Sequence, residues 1–144
     1  MRHVLVSEVE PFLRNQGWEG KNSFFRRITN GHYQTLEFQF NKWGGSFAVN
    51  LDIVEPIENF HSAKSGTLTS IRSQRLGSRN RRMSKKLNMD YWFKFMRGFL
   101  VYIPTYKLAV SKLFKVYNAQ AELTFNDMQE SINSGVHCIH LEKV

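Results

Sequence analysis

Three groups of residues in this chain have types and spacings that could do chemistry. The first is a pair of carboxylates, Glu37 and Asp52, set in a stretch of alternating apolar and polar residues. Two carboxyl groups whose surroundings separate their proton affinities can divide the roles of general acid and general base. The second group is His137, Cys138 and His140. On a strand, Cys138 and His140 would share one face and offer sulfur and nitrogen to a soft divalent ion. A closed zinc site needs four ligands, and the one further donor worth naming, His61, is remote in sequence, so no metal site is assigned. Cys138 also lacks the electropositive, helix-terminal setting of a nucleophilic thiol. The third group is a run of cations, Arg72, Arg75, Arg79, Arg81, Arg82, Lys85 and Lys86, with no acid among them. Lysines and arginines that neutralise phosphates release condensed counterions, and the same charge complements an acidic protein surface. Trp92, in Tyr91-Trp92-Phe93, follows the run and offers a face on which an unpaired base could stack.

The charge is concentrated. Residues 64–97 carry ten basic side chains and one acid, Asp90, whereas the whole chain of 144 residues has a formal charge of +8. Because such a stretch repels itself and has little to bury, residues 77–88 are expected to form an exposed basic loop. Hydrophobic residues make up 42% and aromatic residues 14%, enough for a packed core, so residues 1–144 read as one globular domain. The longest apolar run, residues 99–104, falls far short of the roughly 18 residues that a membrane-spanning helix needs, and no membrane role is expected. Glu8 interrupts the start before a secretory core can form. With Cys138 as the single cysteine no internal disulfide can form, and a reducing, cytoplasmic compartment is the expectation.

The elements that must position these groups follow from periodicity. Leu5, Val9, Phe12 and Leu13 mark one face of a helix that ends at Gly17. Its regular part is expected at about residues 7–16, with Ser7 and Glu10 as a capping box and Pro11 in the first turn; a start at Arg2 or His3 would instead require a kink near Pro11. Residues 23–29 and 32–41 flank Asn30-Gly31, a dipeptide suited to a tight hairpin because both central positions need positive φ. A third strand is expected at residues 46–54, after the turn Lys42-Trp43-Gly44-Gly45.

Register is testable, since a slip of one residue turns every side chain to the other face. A four-residue turn at 42–45 sets Phe40 opposite Phe47, Phe38 opposite Val49 and Leu36 opposite Leu51, making one face apolar. The other face then collects Arg26, Glu37, Gln39, Asn50 and Asp52, and reads first as a solvated or salt-bridged sheet surface. Residues 67–74 suggest a fourth strand, at an edge. Residues 89–103 could be strand or buried helix. Farther on, one helix is expected from Pro104 through Tyr117 and a second from a Thr124 cap to Gly135, with Val136–Leu141 as a short strand.

Gly17-Trp18, Phe25-Arg26-Arg27, Phe38-Gln39, Asn50-Leu51, Arg75-Leu76-Gly77 and Asp90-Tyr91-Trp92-Phe93 together resemble a bacterial family catalogued as a domain of unknown function, the one numbered four-three-zero-four. The resemblance spans roughly residues 5–95 and rests on scattered marks rather than one diagnostic motif. The chain departs from it at Asp52, where the family tends to have glycine, and at Tyr91-Trp92, where two tryptophans are usual. What the resemblance implies is an α+β domain with helices covering an antiparallel sheet; it implies no activity.

The sequence thus predicts an α+β fold, an antiparallel β-meander covered by an N-terminal helix and C-terminal helices. No nucleophile elbow, catalytic-triad signature, phosphate cradle or Rossmann fingerprint occurs in it, so no enzymatic activity and no cofactor are expected. The leading expectation is a small binding or interaction domain. Its candidate contacts with a polyanion or a partner, which could be an acidic protein, are Arg72, Arg75, Arg79, Arg81, Arg82, Lys85, Lys86 and Trp92. The alternatives are nonspecific nucleic-acid binding and a protein inhibitor of the immunity or antitoxin kind; a homo-oligomer is compatible with each.

Overall fold

The computed structural model describes residues 1–77, 91–97, 103–104 and 106–134. Its centre is the meander. Asn30 and Gly31 both take positive φ (52° and 76°), and the two-residue turn they make joins β2 (Phe24–Thr29) to β3 (His32–Phe40). β4 (Ser46–Val54) lies antiparallel to β3 with Phe40 opposite Phe47, Phe38 opposite Val49, Leu36 opposite Leu51, Glu37 opposite Asn50 and Thr35 opposite Asp52, the register expected from the apolar alternation. Arg26 pairs with Thr35, as the hairpin requires. A short β1 (Glu19–Lys21), not foreseen, adds to the outer edge of β2.

The opposite edge of the sheet is built in two pieces. β5 (Ser70–Arg75) pairs with β4 from Val54 to Asn50, with an irregularity between Ile53 and Val54, and the Leu76 N–H continues the ladder to the Val49 carbonyl at 2.8 Å. β6 (Phe93–Lys94) pairs with Phe47 and Ser46, and the Phe95 N–H reaches the Gly45 carbonyl at 2.9 Å. Since β3 occupies one side of β4, both pieces lie along the other. Gly77 is the last described residue of the first piece, and Phe93 opens the second. Gly77 has φ of +92°, and a Cβ added there would fall 2.4 Å from the Tyr91 ring, so the two ends touch. The stretch at 89–103 left open between strand and helix is extended wherever it is described, because β7 (Met96–Arg97) pairs antiparallel with β8 (Ile103–Pro104).

Helices cover one face. The N-terminal helix starts at Arg2, earlier than expected, and runs as α1 (Arg2–Val4), a π-helical turn (Leu5–Val9) and α2 (Glu10–Asn15). The cause is Pro11, which has no N–H to give and whose ring would crowd the carbonyl four residues back. Widening the preceding turn, so that the Glu10 N–H reaches the Leu5 carbonyl, accommodates it. The expected capping box does not form. Glu10 is buried and accepts hydrogen bonds from the Asn22 N–H at 2.8 Å and Arg14 at 3.1 Å, tying the helix to the turn after β1.

The two C-terminal helices of the sequence reading are one helix, α3 (Tyr106–Asn133). No glycine or proline interrupts these residues, and Thr124, expected as a cap, is a buried interior position. Val110, Leu113, Tyr117, Ala121, Phe125 and Met128 pack over the sheet. Phe12 stacks on Phe114 at 4.1 Å, and the Trp18 indole N–H donates to the Tyr117 hydroxyl at 2.6 Å, joining the two helical layers. The interior also contains an arginine. Arg27, 9% exposed, lies 4.4 Å from the Trp18 ring and 5.3 Å from Phe125, and donates to Gln34 and Glu122 at 2.7 Å each.

Candidate functional site

The face turned away from the helices carries the polar residues singled out in the sequence. Cross-strand pairing aligns Glu37, Asn50 and Arg75 in one row over β3, β4 and β5. Arg75 Nε donates to Asn50 Oδ1 at 3.2 Å and its Nη2 to Gln39 Oε1 at 3.0 Å, while Asn50 Nδ2 donates to the same Gln39 oxygen at 3.2 Å. The Arg75 guanidinium stands 5.0 Å from the centre of the Trp92 ring. Extending the β6 register by one residue sets Trp92 beside Ala48, next to Gln39 on this face. Gln39, Asn50, Arg75 and Trp92 therefore form one group, located where the sheet edge releases the chain at Gly77 and receives it at Tyr91.

The remaining polar residues are held apart from that group. The connection between β4 and β5 folds over the far part of the face, where Phe60 is buried against the Tyr33 ring at 4.8 Å. Arg26 donates to the Phe60 carbonyl at 2.7 Å and lies over the Phe24 ring. Glu37 accepts a hydrogen bond from the Ser65 hydroxyl at 2.6 Å, and Asp52 accepts one from the Ser70 hydroxyl at 2.9 Å. Each carboxylate is thus held by a separate serine rather than by the other carboxylate. The face expected to be solvated or salt-bridged is covered over Thr35, which is buried, and open around Gln39.

Arg72 lies opposite Ile53 and so on the helix side, away from Arg75. Arg79, Arg81, Arg82, Lys85 and Lys86 lie outside the described residues, as do His137, Cys138, His140 and the expected strand at 136–141. Among the described residues no group of three or more His, Cys, Asp or Glu side chains could hold a metal ion, and no helix is long and apolar enough to cross a membrane.

Sequence reasoning did not find Arg27 as an interior residue, although the signal was present. It shares strand parity with Phe25, which the hairpin register turns toward the core. Nor did it single out Phe40 and Trp43 at the β3–β4 turn, both of them exposed.

Most of the residues that carried the family resemblance meet one another in small groups on the two faces of the sheet. Arg75-Leu76-Gly77 meets Tyr91-Trp92-Phe93 at the interrupted edge, Phe38-Gln39 and Asn50-Leu51 face each other across the central strands, and Trp18 stacks against Arg27. No curated protein and no solved structure matches the chain. A family model does match, over residues 9–94, more than half of the chain, and the protein belongs to the family it describes, the domain of unknown function DUF4304.

Proposed function

We propose that the protein is a non-catalytic binding domain that receives an acidic partner protein on the basic stretch rooted at Arg75 and Trp92. The observation that supports this most directly is the interrupted sheet edge. The five cations Arg79, Arg81, Arg82, Lys85 and Lys86 are inserted in sequence between two points of one sheet edge, Gly77 and Tyr91, which are in contact. A guanidinium and an indole stand at that root, on the open part of the outer face. Charge of one sign gathered on a fixed base accelerates encounter with a partner of opposite sign and sets its orientation. On one side of the Trp92 ring the Arg75 guanidinium takes the place that a stacked base would occupy. An inhibitor of the immunity or antitoxin kind fits the same description if its target is acidic where they meet.

The test is charge reversal. Changing Arg79, Arg81, Arg82, Lys85 and Lys86 to glutamate should abolish retention on immobilised polyglutamate at low salt, with the melting curve unchanged. Undiminished retention overturns the proposal. Single-stranded DNA held more tightly than polyglutamate at matched ionic strength, and released by Trp92→Ala, would move the partner class to nucleic acid.

A further inference from the structure

Phe40 occupies an unusual position. By register it belongs to the helix-covered face, opposite the fully buried Phe47, yet it is 41% exposed. The covering layer stops short of it, leaving a cleft of about 530 Å³ lined by Met1, Arg2, Leu5, Asn22, Ser23 and Phe40. Three residues on, Trp43 is 84% exposed at the tip of the β3–β4 turn.

That tip is held in place. The Trp43 N–H donates to Asn41 Oδ1 at 2.9 Å, the Gly44 N–H to the Asn41 carbonyl at 2.9 Å, and the Asn41 N–H to the Ser46 carbonyl at 3.0 Å. Gly44 and Gly45, both with φ near +80°, supply a backbone that other residues adopt only under strain. Elsewhere, exposed apolar residues such as Leu108 and Leu123 are single helix positions of an ordinary kind. An indole presented on a braced turn, three residues from a phenylalanine that lines a cleft of mixed polarity, has the composition of an interface hot spot, where tryptophan is enriched and little ordering entropy remains to be lost.

The charge around it selects the partner. Lys42 stands 4.9 Å from the Trp43 ring, Arg2 lines the cleft, and no carboxylate is among the described residues that line it. We propose that Trp43, Lys42 and the cleft beneath Phe40 form a docking site for a partner protein that presents one apolar side chain ringed by carboxylates. This rests on the binding reading above and deepens it. The apolar side chain enters the cleft against Leu5 and Phe40, its carboxylates meet Lys42 and Arg2, and Trp43 supplies a second apolar contact from the turn.

The experiment is selection of displayed random peptides on the full chain, with Phe40→Ser/Trp43→Ser protein as the counter-target; both positions are exposed enough for the fold to survive, which circular dichroism verifies. Recovered peptides should carry an aromatic or leucine residue among Asp and Glu. Their affinity should fall about 30-fold on Trp43→Ala, the loss expected of a hot spot, and should weaken on Lys42→Glu. Absence of any peptide that distinguishes the two targets overturns the docking site. So does binding that survives Trp43→Ala and is lost on charge reversal at residues 79–86, although the proposed function would then stand. Binding of vesicles of equal phosphatidylglycerol and phosphatidylcholine that depends on Trp43, with no such peptide recovered, would assign the tip to a membrane surface and overturn the protein partner.

Discussion

Each face of the sheet stacks an arginine on a tryptophan, and the two pairs do different work. On the helix side Arg27 is sealed between Trp18 and Phe125, with Gln34 and Glu122 taking its N–H groups. On the outer side Arg75 lies over Trp92 and is held by the amides of Asn50 and Gln39, at the point where the edge of the sheet is interrupted. The chemistry of the pairs is nearly the same, and depth separates them. A guanidinium sealed under two aromatic rings with a buried glutamine as acceptor is committed to the fold, since removing it strands Gln34 and opens a void, even though its ion-pair partner Glu122 faces solvent. At the rim of an open face the same group is expected to contribute less to stability and, on the binding reading proposed above, to turn its charge toward a partner.

The sharpest way to break this contrast is to place a charge on each face. Phe38 is 4% exposed on the helix side and its neighbour Gln39 is exposed on the outer side. Phe38→Asp should cost more than about 4 kcal/mol and leave the domain unfolded, because an unpaired carboxylate enters the core. Gln39→Asp should stay within about 1 kcal/mol. Circular dichroism and urea titration read both, and equal effects would show that the two faces are not as distinct as their side chains make them.

The arginines themselves come next. Arg27→Ala should destabilise by about 2–4 kcal/mol through the void and the stranded Gln34, whereas Arg75→Ala should cost under about 1 kcal/mol while weakening retention on polyglutamate. If Arg75→Ala proved the more destabilising, the outer pair would be the structural one and the binding role would pass elsewhere.

A smaller effect probes the interruption of the edge. Gly17 and Gly77 have nearly the same positive φ, +85° and +92°, but a Cβ at Gly17 meets nothing within 4 Å and one at Gly77 runs into the Tyr91 ring. Both alanine variants carry the strain of a left-handed residue, about 1 kcal/mol. Gly77→Ala should add about 1–2 kcal/mol from displaced Tyr91, which packs edge-on against Phe93. Equal urea midpoints for the two variants would mean that the two ends of the basic stretch are not braced against each other.

How much of this was legible depended on whether one local period controlled the outcome. The meander was readable to the residue, because Asn30-Gly31 specifies its turn and the alternation from Leu36 to Ile53 admits one register. Arg27 was missed although its parity with Phe25 pointed inward, because a polar residue on an apolar face breaks the pattern used to find the core; the rings of Trp18 and Phe125 explain its place there. Thr124 looked like a cap since threonine at the head of an apolar segment usually is one, yet nothing before it stops α3. Of the candidate site, Gln39 and Asn50 could be placed together from register alone. Their union with Arg75 and Trp92 depends on two segments distant in sequence joining one edge, which no local period encodes. Phe40 misled for a related reason. Strand parity says which face a residue takes, not how far along that face a helix extends.

The last contrast is one of titration. Burial pushes the Tyr117 hydroxyl above its ordinary value of 10.0, with the Trp18 hydrogen bond and nearby Arg27 pulling partly back. The folded state therefore keeps a proton that the unfolded chain gives up first, so its contribution is fully present below about pH 10 and is lost as pH rises through the higher folded value. Tyr117→Phe removes that titration. It also leaves the buried Trp18 N–H without its acceptor, so the variant should be less stable at pH 8 by about 1–3 kcal/mol and yet lose less than the wild type between about pH 9 and pH 11. The two curves of urea midpoint against pH should converge on the alkaline side. Parallel curves would mean that the helix side of the sheet is wet enough at Tyr117 to ionise it as in water, and the depth that separates Arg27 from Arg75 would have to be revised with it.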